Sequence, residues 1–175
     1  MINCARALIP SAVLLCALSS MAQNGPVAPE QLLDHLAGHW VMSGTIDGKP
    51  TTHDVDAAWV LKREYIRLHE VSREKDATGG AAYEAIVFLS WDAKNGGYSC
   101  LWLDNTAGGA LSAEGIAHGK PQPKAIPLVF IIKGKEALHT TFAYDPHADT
   151  WRLTIDDVEK NQRFADLRLT RSKVK

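Results

Sequence analysis

The stretch LAGHWVMSG, residues 36–44, marks the point where the chain changes from helical to β-type sequence. Residues 29–38 read PEQLLDHLAG, with a proline suited to a first helical position and a glycine suited to a helix end. Within them, Leu32, Leu33 and Leu36 form an apolar stripe. Because no long 3.6-residue pattern follows Trp40, we predict one short N-terminal helix followed by strands.

The rest of the chain consists of short β-favouring runs, separated by turn residues roughly every ten positions. Asp47-Gly48 and Asn95-Gly96 are typical of tight hairpins. No alternation of strands with helices is visible. Because closing a long antiparallel sheet removes its unpaired edges, we predict an all-β fold, an up-and-down antiparallel barrel of about ten strands. A two-layer sandwich is the alternative.

A short helical segment, then Gly38-x-Trp40, then a meander of hairpins resembles the calycin group of barrels: lipocalins, fatty-acid-binding proteins and nitrobindin-like proteins. The order of later motifs is similar to secreted bacterial lipocalin-like domains of unknown function. These motifs are Trp59-Val60-Leu61 with Tyr65-Ile66, and the Tyr98, Trp102, Asp104 strand. The resemblance covers most of residues 30–172. It implies that Gly38 and Trp40 plug the closed end, beneath a basic residue of the last strand, Arg168 or Arg171.

The N-terminus has the order of a secretory signal peptide: Arg6, an apolar run too short to span a bilayer comfortably, and small residues before Gln23. We predict a signal peptide over 1–22, a linker over 23–29 and the barrel domain over 30–175. Cleavage near Ala22 leaves no stable membrane span and gives a periplasmic or secreted protein. It also leaves Cys100 as the only cysteine, so the fold must be stable without an internal disulfide.

The composition is that of a globular domain, with 46% hydrophobic and 22% charged residues. The net charge is −1 at pH 7, which provides no basic field for nucleic acid. The expected partner is instead a small apolar molecule held in the barrel lumen. Polar and aromatic side chains borne on strands are the candidates for its lining, which we expect to orient the ligand: Tyr65, Arg67, His69, Tyr83, Tyr98, Cys100 and Trp102.

The sequence also supports other interpretations of the histidines and of Cys100. Charged neighbours on the strand of His69 suggest that this face meets water. Cys100 has no base beside it in the sequence and reads as a buried, inert thiol. His35 and His39 have the spacing of two metal ligands on a helix, but lack further ligands, and we predict no metal site. The resemblance to nitrobindin-like barrels leaves haem as an alternative, which would need one histidine inside the barrel as its axial ligand. The spacing selects no such histidine, so no cofactor is predicted.

The sequence supports three candidate functions. The first is binding of a small, mostly apolar ligand in the lumen. The second is a filled barrel that acts through its outer surface as a protein-interaction or envelope-stress module. A lumen completely filled by side chains would favour this function. The third is an isomerase or hydrolase on a calycin scaffold, which would require two of His69, Glu70 and Cys100 within hydrogen-bond reach inside a cleft.

Overall fold

The computed structural model describes residues 28–173. The predicted signal peptide, 1–22, lies outside the described residues, as do residues 23–27 of the predicted linker. No helix in the described part of the chain has the length and apolar content needed to cross a bilayer.

Ten antiparallel strands form one closed barrel, in which each strand pairs with its neighbours in sequence and the last pairs with the first. This confirms the predicted fold class and rules out the sandwich. The strands are β1 Gly38–Ile46, β2 Lys49–Val60, β3 Tyr65–Ser72, β4 Glu84–Asp92, β5 Gly97–Asp104, β6 Ile116–Gly119, β7 Ala125–Ile132, β8 Lys135–Asp145, β9 Thr150–Asp157 and β10 Gln162–Arg171. A helical segment, α1 Pro29–Leu32 with a 3-10 turn Leu33–Leu36, precedes them, and the 3-10 turns Leu61–Arg63 and Ala113–Gly115 lie between strands.

The hairpin turns follow local residue chemistry. Asp47 and Gly48, between β1 and β2, both have positive φ, at 48° and 71°. Lys133 and Gly134, between β7 and β8, also both have positive φ, at 52° and 77°. Turns with two positive φ values match the twist of the flanking strands, which explains the preference for Asx-Gly and Gly at such positions.

One end of the barrel is closed by the N-terminal helical segment. The predicted stripe of Leu32, Leu33 and Leu36 is fully buried there. Trp40 is 1% exposed and its indole N–H donates to the Leu36 carbonyl at 2.7 Å. The helical segment also makes a hydrogen bond to the strands through a residue outside the leucine stripe. The Tyr98 hydroxyl of β5 donates to the Pro29 carbonyl at 2.7 Å. The helical segment predicted from residues 29–38 therefore closes this end of the barrel.

The basic residue over the plug is Arg171, and this corrects the assignment of Arg168. The Arg171 guanidinium carbon lies 3.8 Å from the Trp40 ring centroid. Side chains alternate along a strand, and Arg168 is an exposed residue of β10 that donates to the Thr150 hydroxyl instead. Gly38 completes the arrangement, because a Cβ there would lie 2.4 Å from Arg171 Nη1. With its φ of 130°, Gly38 gives the guanidinium room to reach the Ala37 carbonyl at 2.6 Å.

The inner face of the barrel alternates with the outer face along every long strand. Near the plug the interior is filled by large side chains, among them Trp40, Trp151, Tyr98 and Phe142. At the opposite end, where β1 meets β2 and β3 meets β4, the interior is not filled. The closed ten-strand architecture is consistent with a calycin-like barrel.

Candidate functional site

The unfilled end of the lumen holds a cavity of about 460 Å³. Its walls come from the ends of strands that are farthest from Trp40, together with the β3–β4 loop. This volume lies within the range of pockets that hold small molecules. The cavity is therefore the candidate functional site.

One wall of the cavity is apolar, apart from Thr140. It is built from β1 and from β7 to β10, whose inward positions carry branched and aromatic side chains. The residues are Ile46, Phe130, Leu138, Leu153, Ile155, Phe164 and Leu167. Such a surface gains free energy when it is covered by an apolar group in place of water.

The facing wall is polar and comes from β2, β3, the β3–β4 loop and the end of β5. Each of its side chains carries a hydrogen-bonding group and lines the cavity. The residues are Thr51, His53, Glu70, Ser72, Glu74, Tyr83, Trp102, Asp104 and Thr106. A cavity with one apolar and one polar wall fits an amphipathic molecule in one orientation.

The centre of the polar wall is a buried His53–Glu70 pair. His53 is 1% exposed and Glu70 is 5% exposed. His53 Nδ1 contacts Glu70 Oε1 across the β2–β3 ladder. Buried charged groups persist only when they are paired, so this pair explains how a carboxylate is held inside a barrel core.

The pair continues toward the rim through Thr51. His53 Nε2 lies 2.6 Å from Thr51 Oγ1, and the same hydroxyl donates to Glu74 Oε2 at 2.9 Å. An ionised carboxylate can only accept, so the single Thr51 proton is used on Glu74. Thr51 Oγ1 then accepts from His53 Nε2–H.

Glu74 is held as an anion at the rim. Burial raises its pKa, but hydrogen bonds from its own backbone amide, the Thr51 hydroxyl and the Thr52 amide outweigh this effect and lower the pKa overall. The Thr52 amide donates to Oε1 at 2.9 Å. The rim of the polar wall therefore carries a fixed negative charge at neutral pH.

Tyr83 joins the polar wall to the aromatic part of the cavity. Its hydroxyl accepts from the Trp102 indole N–H at 3.0 Å, and its ring lies 5.6 Å from the His53 ring between centroids. Burial, followed by the negative charges of Glu70 and Asp104, raises the pKa of Tyr83. The phenol therefore stays protonated at physiological pH.

The structure places two of the predicted lining residues, Tyr83 and Trp102, in the cavity. Tyr98 and Cys100 also point inward, but they lie in the filled half of the barrel. Burial raises the pKa of the Cys100 thiol to about 12 and contributes to a similar value for Tyr98. A thiol with so high a pKa is a core group rather than a nucleophile.

The remaining three candidates, Tyr65, Arg67 and His69, lie on the outer face and do not reach the lumen. Tyr65 is 40% exposed. On the same strand face, Arg67 Nη2 donates to Asp56 at 3.1 Å, and His69 Nε2 lies 2.7 Å from Glu84. The expectation that they line the cavity is corrected by the strand period of two, because the inward phase of β3 belongs to Ile66, Leu68, Glu70 and Ser72.

Sequence reasoning missed His53 as a lumen residue and placed Glu70 only beside His69. The signal was present in the apolar phase of each strand. His53 shares a phase with Val55 and Ala57, while the aspartates alternate with them and face outward. Following the aliphatic residues, rather than the aromatic ones and histidines, selects the correct face.

The predicted enzyme constellation of His69, Glu70 and Cys100 is not assembled, because His69 faces outward and Cys100 lies in the filled half. The order Thr51, His53, Glu70 matches a nucleophile, base and carboxylate. However, Thr51 donates to Glu74, whose negative charge opposes formation of an alkoxide. This geometry suits holding a polar group better than generating a nucleophile.

Among residues 28–173, no cluster of three or more metal-ligating side chains occurs. His35 stacks on Tyr144 at 4.5 Å, and His39 pairs with Asp56 at 2.8 Å. Of the histidines in residues 28–173, His53 alone lines the cavity. Both of its nitrogens are engaged, so it does not fit the role of a haem ligand.

No protein-family model matches the chain, and no curated protein matches it either.

Proposed function

We propose that this protein binds a small, mostly apolar molecule in the open half of its barrel. The observation that carries the proposal is the cavity of about 460 Å³ between an apolar wall and a polar wall. Its apolar side provides affinity through burial, and its polar side selects orientation and chemistry.

The two other functions are less well supported. A barrel acting through its outer surface would be expected to have a solid interior, whereas the open half of the lumen holds a cavity. An enzyme built on His69, Glu70 and Cys100 would need side chains that lie on two different faces. We therefore favour binding over both.

We also propose that the chain is a member of the calycin group. Support comes from the Gly38-x-Trp40 step, from the indole closing one barrel end, and from Arg171 stacked across it. These are the parts that the resemblance in the sequence implies.

We further propose that the mature protein acts in the periplasm or outside the cell, after cleavage near Ala22. The charged, apolar and small-residue order of residues 1–22 supports this. N-terminal sequencing of protein recovered from its own host tests it. A first residue of Gln23 is expected, and a chain retaining Met1 would contradict the proposal.

The binding proposal is tested with the neutral apolar fluorophore N-phenyl-1-naphthylamine. We expect saturable enhancement of its fluorescence by the wild-type protein. Ala82 is exposed on the β3–β4 loop and lines the cavity, so Ala82→Trp should obstruct the cavity and weaken binding several-fold.

Ala81→Trp is the matched control, because Ala81 is the adjacent residue and does not line the cavity. It should bind the probe as the wild type does. Binding that is absent, non-saturable or equally strong in Ala82→Trp would overturn the proposal. Native mass spectrometry of protein from its own host adds a check, since a bound small molecule is expected.

A further inference from the structure

We propose that the ligand carries a cationic head, such as a primary ammonium, which is seated against the polar wall while its apolar part covers the opposite wall. This inference rests on the proposed function and deepens it by naming the class of ligand. An anionic amphiphile such as a fatty acid is correspondingly disfavoured.

The first support is the charge of the wall. Among the described residues that line the cavity, Glu70, Glu74 and Asp104 are acidic, and none is lysine or arginine. The single imidazole, His53, is already engaged by Glu70 and Thr51. A carboxylate brought into this cavity would face like charges with no lysine or arginine to pair with, whereas an ammonium would face opposite charges.

The second support is an incompletely satisfied carboxylate. Glu70 is 5% exposed and lines the cavity, yet only its Oε1 is engaged, by His53. Among residues 28–173, Glu70 Oε2 makes no hydrogen bond. A carboxylate accepts several hydrogen bonds, and a buried one that keeps an unused oxygen in a cavity offers an acceptor to a donor-rich head group.

The third support is the aromatic surface next to this acceptor. Tyr83, Trp102 and Phe130 all line the same cavity, with Trp102 and Phe130 in edge contact at 6.4 Å between centroids. The face of an aromatic ring is electronegative, so it attracts a cation and also packs against alkyl groups, but it does not attract a carboxylate. Acidic and aromatic groups in one cavity therefore select the same head group.

The experiment compares three ligands that share an eight-carbon chain: octylamine, 1-octanol and octanoate. Calorimetric titration at pH 7 and fixed ionic strength gives the dissociation constant of each. We expect octylamine to bind at least about tenfold more tightly than 1-octanol, a difference of about 1.4 kcal/mol, with octanoate weakest.

Glu70→Gln should reduce the preference for octylamine over 1-octanol several-fold, because the ammonium loses an anionic partner that the hydroxyl of 1-octanol does not depend on. Glu84→Gln is the matched control, because Glu84 belongs to the adjacent strand and pairs with His69 on the outer face. It should keep the wild-type preference. Glu74→Gln, at the exposed rim, provides a second acidic variant if Glu70→Gln does not fold.

The outcomes separate the two proposals. If 1-octanol binds in the cavity and octylamine binds no more tightly, or if octanoate binds best, the cationic head is wrong and the binding function stands. An octylamine preference unchanged by both Glu70→Gln and Glu74→Gln also overturns the inference. If none of the three ligands binds, the proposed function fails with it.

Discussion

Arg171 offers the sharpest test of how the barrel is closed. Its guanidinium stacks on the fully buried Trp40 ring at 3.8 Å, donates to the carbonyls of Ala37 and His35 at 2.6 and 3.2 Å, and pairs with Asp149 at 2.9 Å. Arg171→Ala removes all of these contacts at once. The Ala37 carbonyl then loses its guanidinium donor, whereas the His35 carbonyl still accepts from the Trp151 indole N–H at 3.2 Å.

The expected loss follows from these contacts. A cation over a tryptophan contributes about 0.5–2 kcal/mol, and a hydrogen bond from a charged donor contributes about 1.5–3 kcal/mol when it is well shielded. The Arg171 and Asp149 side chains are 38% and 47% exposed, so their ion pair adds only about 0.2–1 kcal/mol. Because solvent also weakens the hydrogen bonds, we expect Arg171→Ala to lower the free energy of unfolding by about 2–4 kcal/mol.

Urea unfolding, followed by far-ultraviolet circular dichroism, measures this loss without relying on the fluorescence of Trp40. Arg168→Ala is the control on the same strand. Within the described part of the chain Arg168 donates only to the Thr150 hydroxyl, and we expect a loss within about 0.5–1 kcal/mol. Arg171→Lys keeps the charge but not the planar fork and should lie between them. A loss in Arg171→Ala no larger than in Arg168→Ala would refute the closure described above.

Two further outcomes follow from buried groups. His53→Ala should destabilise the fold by about 3–5 kcal/mol in urea unfolding, because it leaves the Glu70 carboxylate buried without its partner; a loss below about 1 kcal/mol would show that the pair is not buried as described. Cys100, whose pKa burial raises to about 12, should remain protonated at pH 8 and react with a disulfide reagent far more slowly in the native than in the urea-unfolded protein. Equal labelling rates in the two states would contradict its placement in the core.

Much of the fold could be predicted from the sequence because its signals are local. Asp47-Gly48 sets a hairpin through its own backbone, and the stripe of Leu32, Leu33 and Leu36 marks one helical face. The position of the closed end was instead implied by the resemblance to calycin barrels that the Gly38-x-Trp40 step carries. Because each strand pairs with the next strand in sequence, the sheet can close into a barrel when β10 pairs with β1.

The site could be predicted only in part, because it depends on which phase of each strand faces inward and on contacts distant in sequence. The chain places an arginine at both 168 and 171, and only the register of β10 against β1 brings Arg171 to Trp40. Likewise the pairing of His53 with Glu70 joins two strands across the barrel wall. A shift of one residue in such a register exchanges the lining set for its neighbours.

The most direct test of ligand binding in the lumen is a crystal structure of the protein grown with saturating octylamine. We expect electron density for the alkyl chain inside the barrel against Phe130, Leu153 and Phe164, with the amine nitrogen within hydrogen-bond distance of Glu70. Density for octylamine only on the outer surface, or an empty lumen at concentrations that saturate binding in solution, would contradict the proposal.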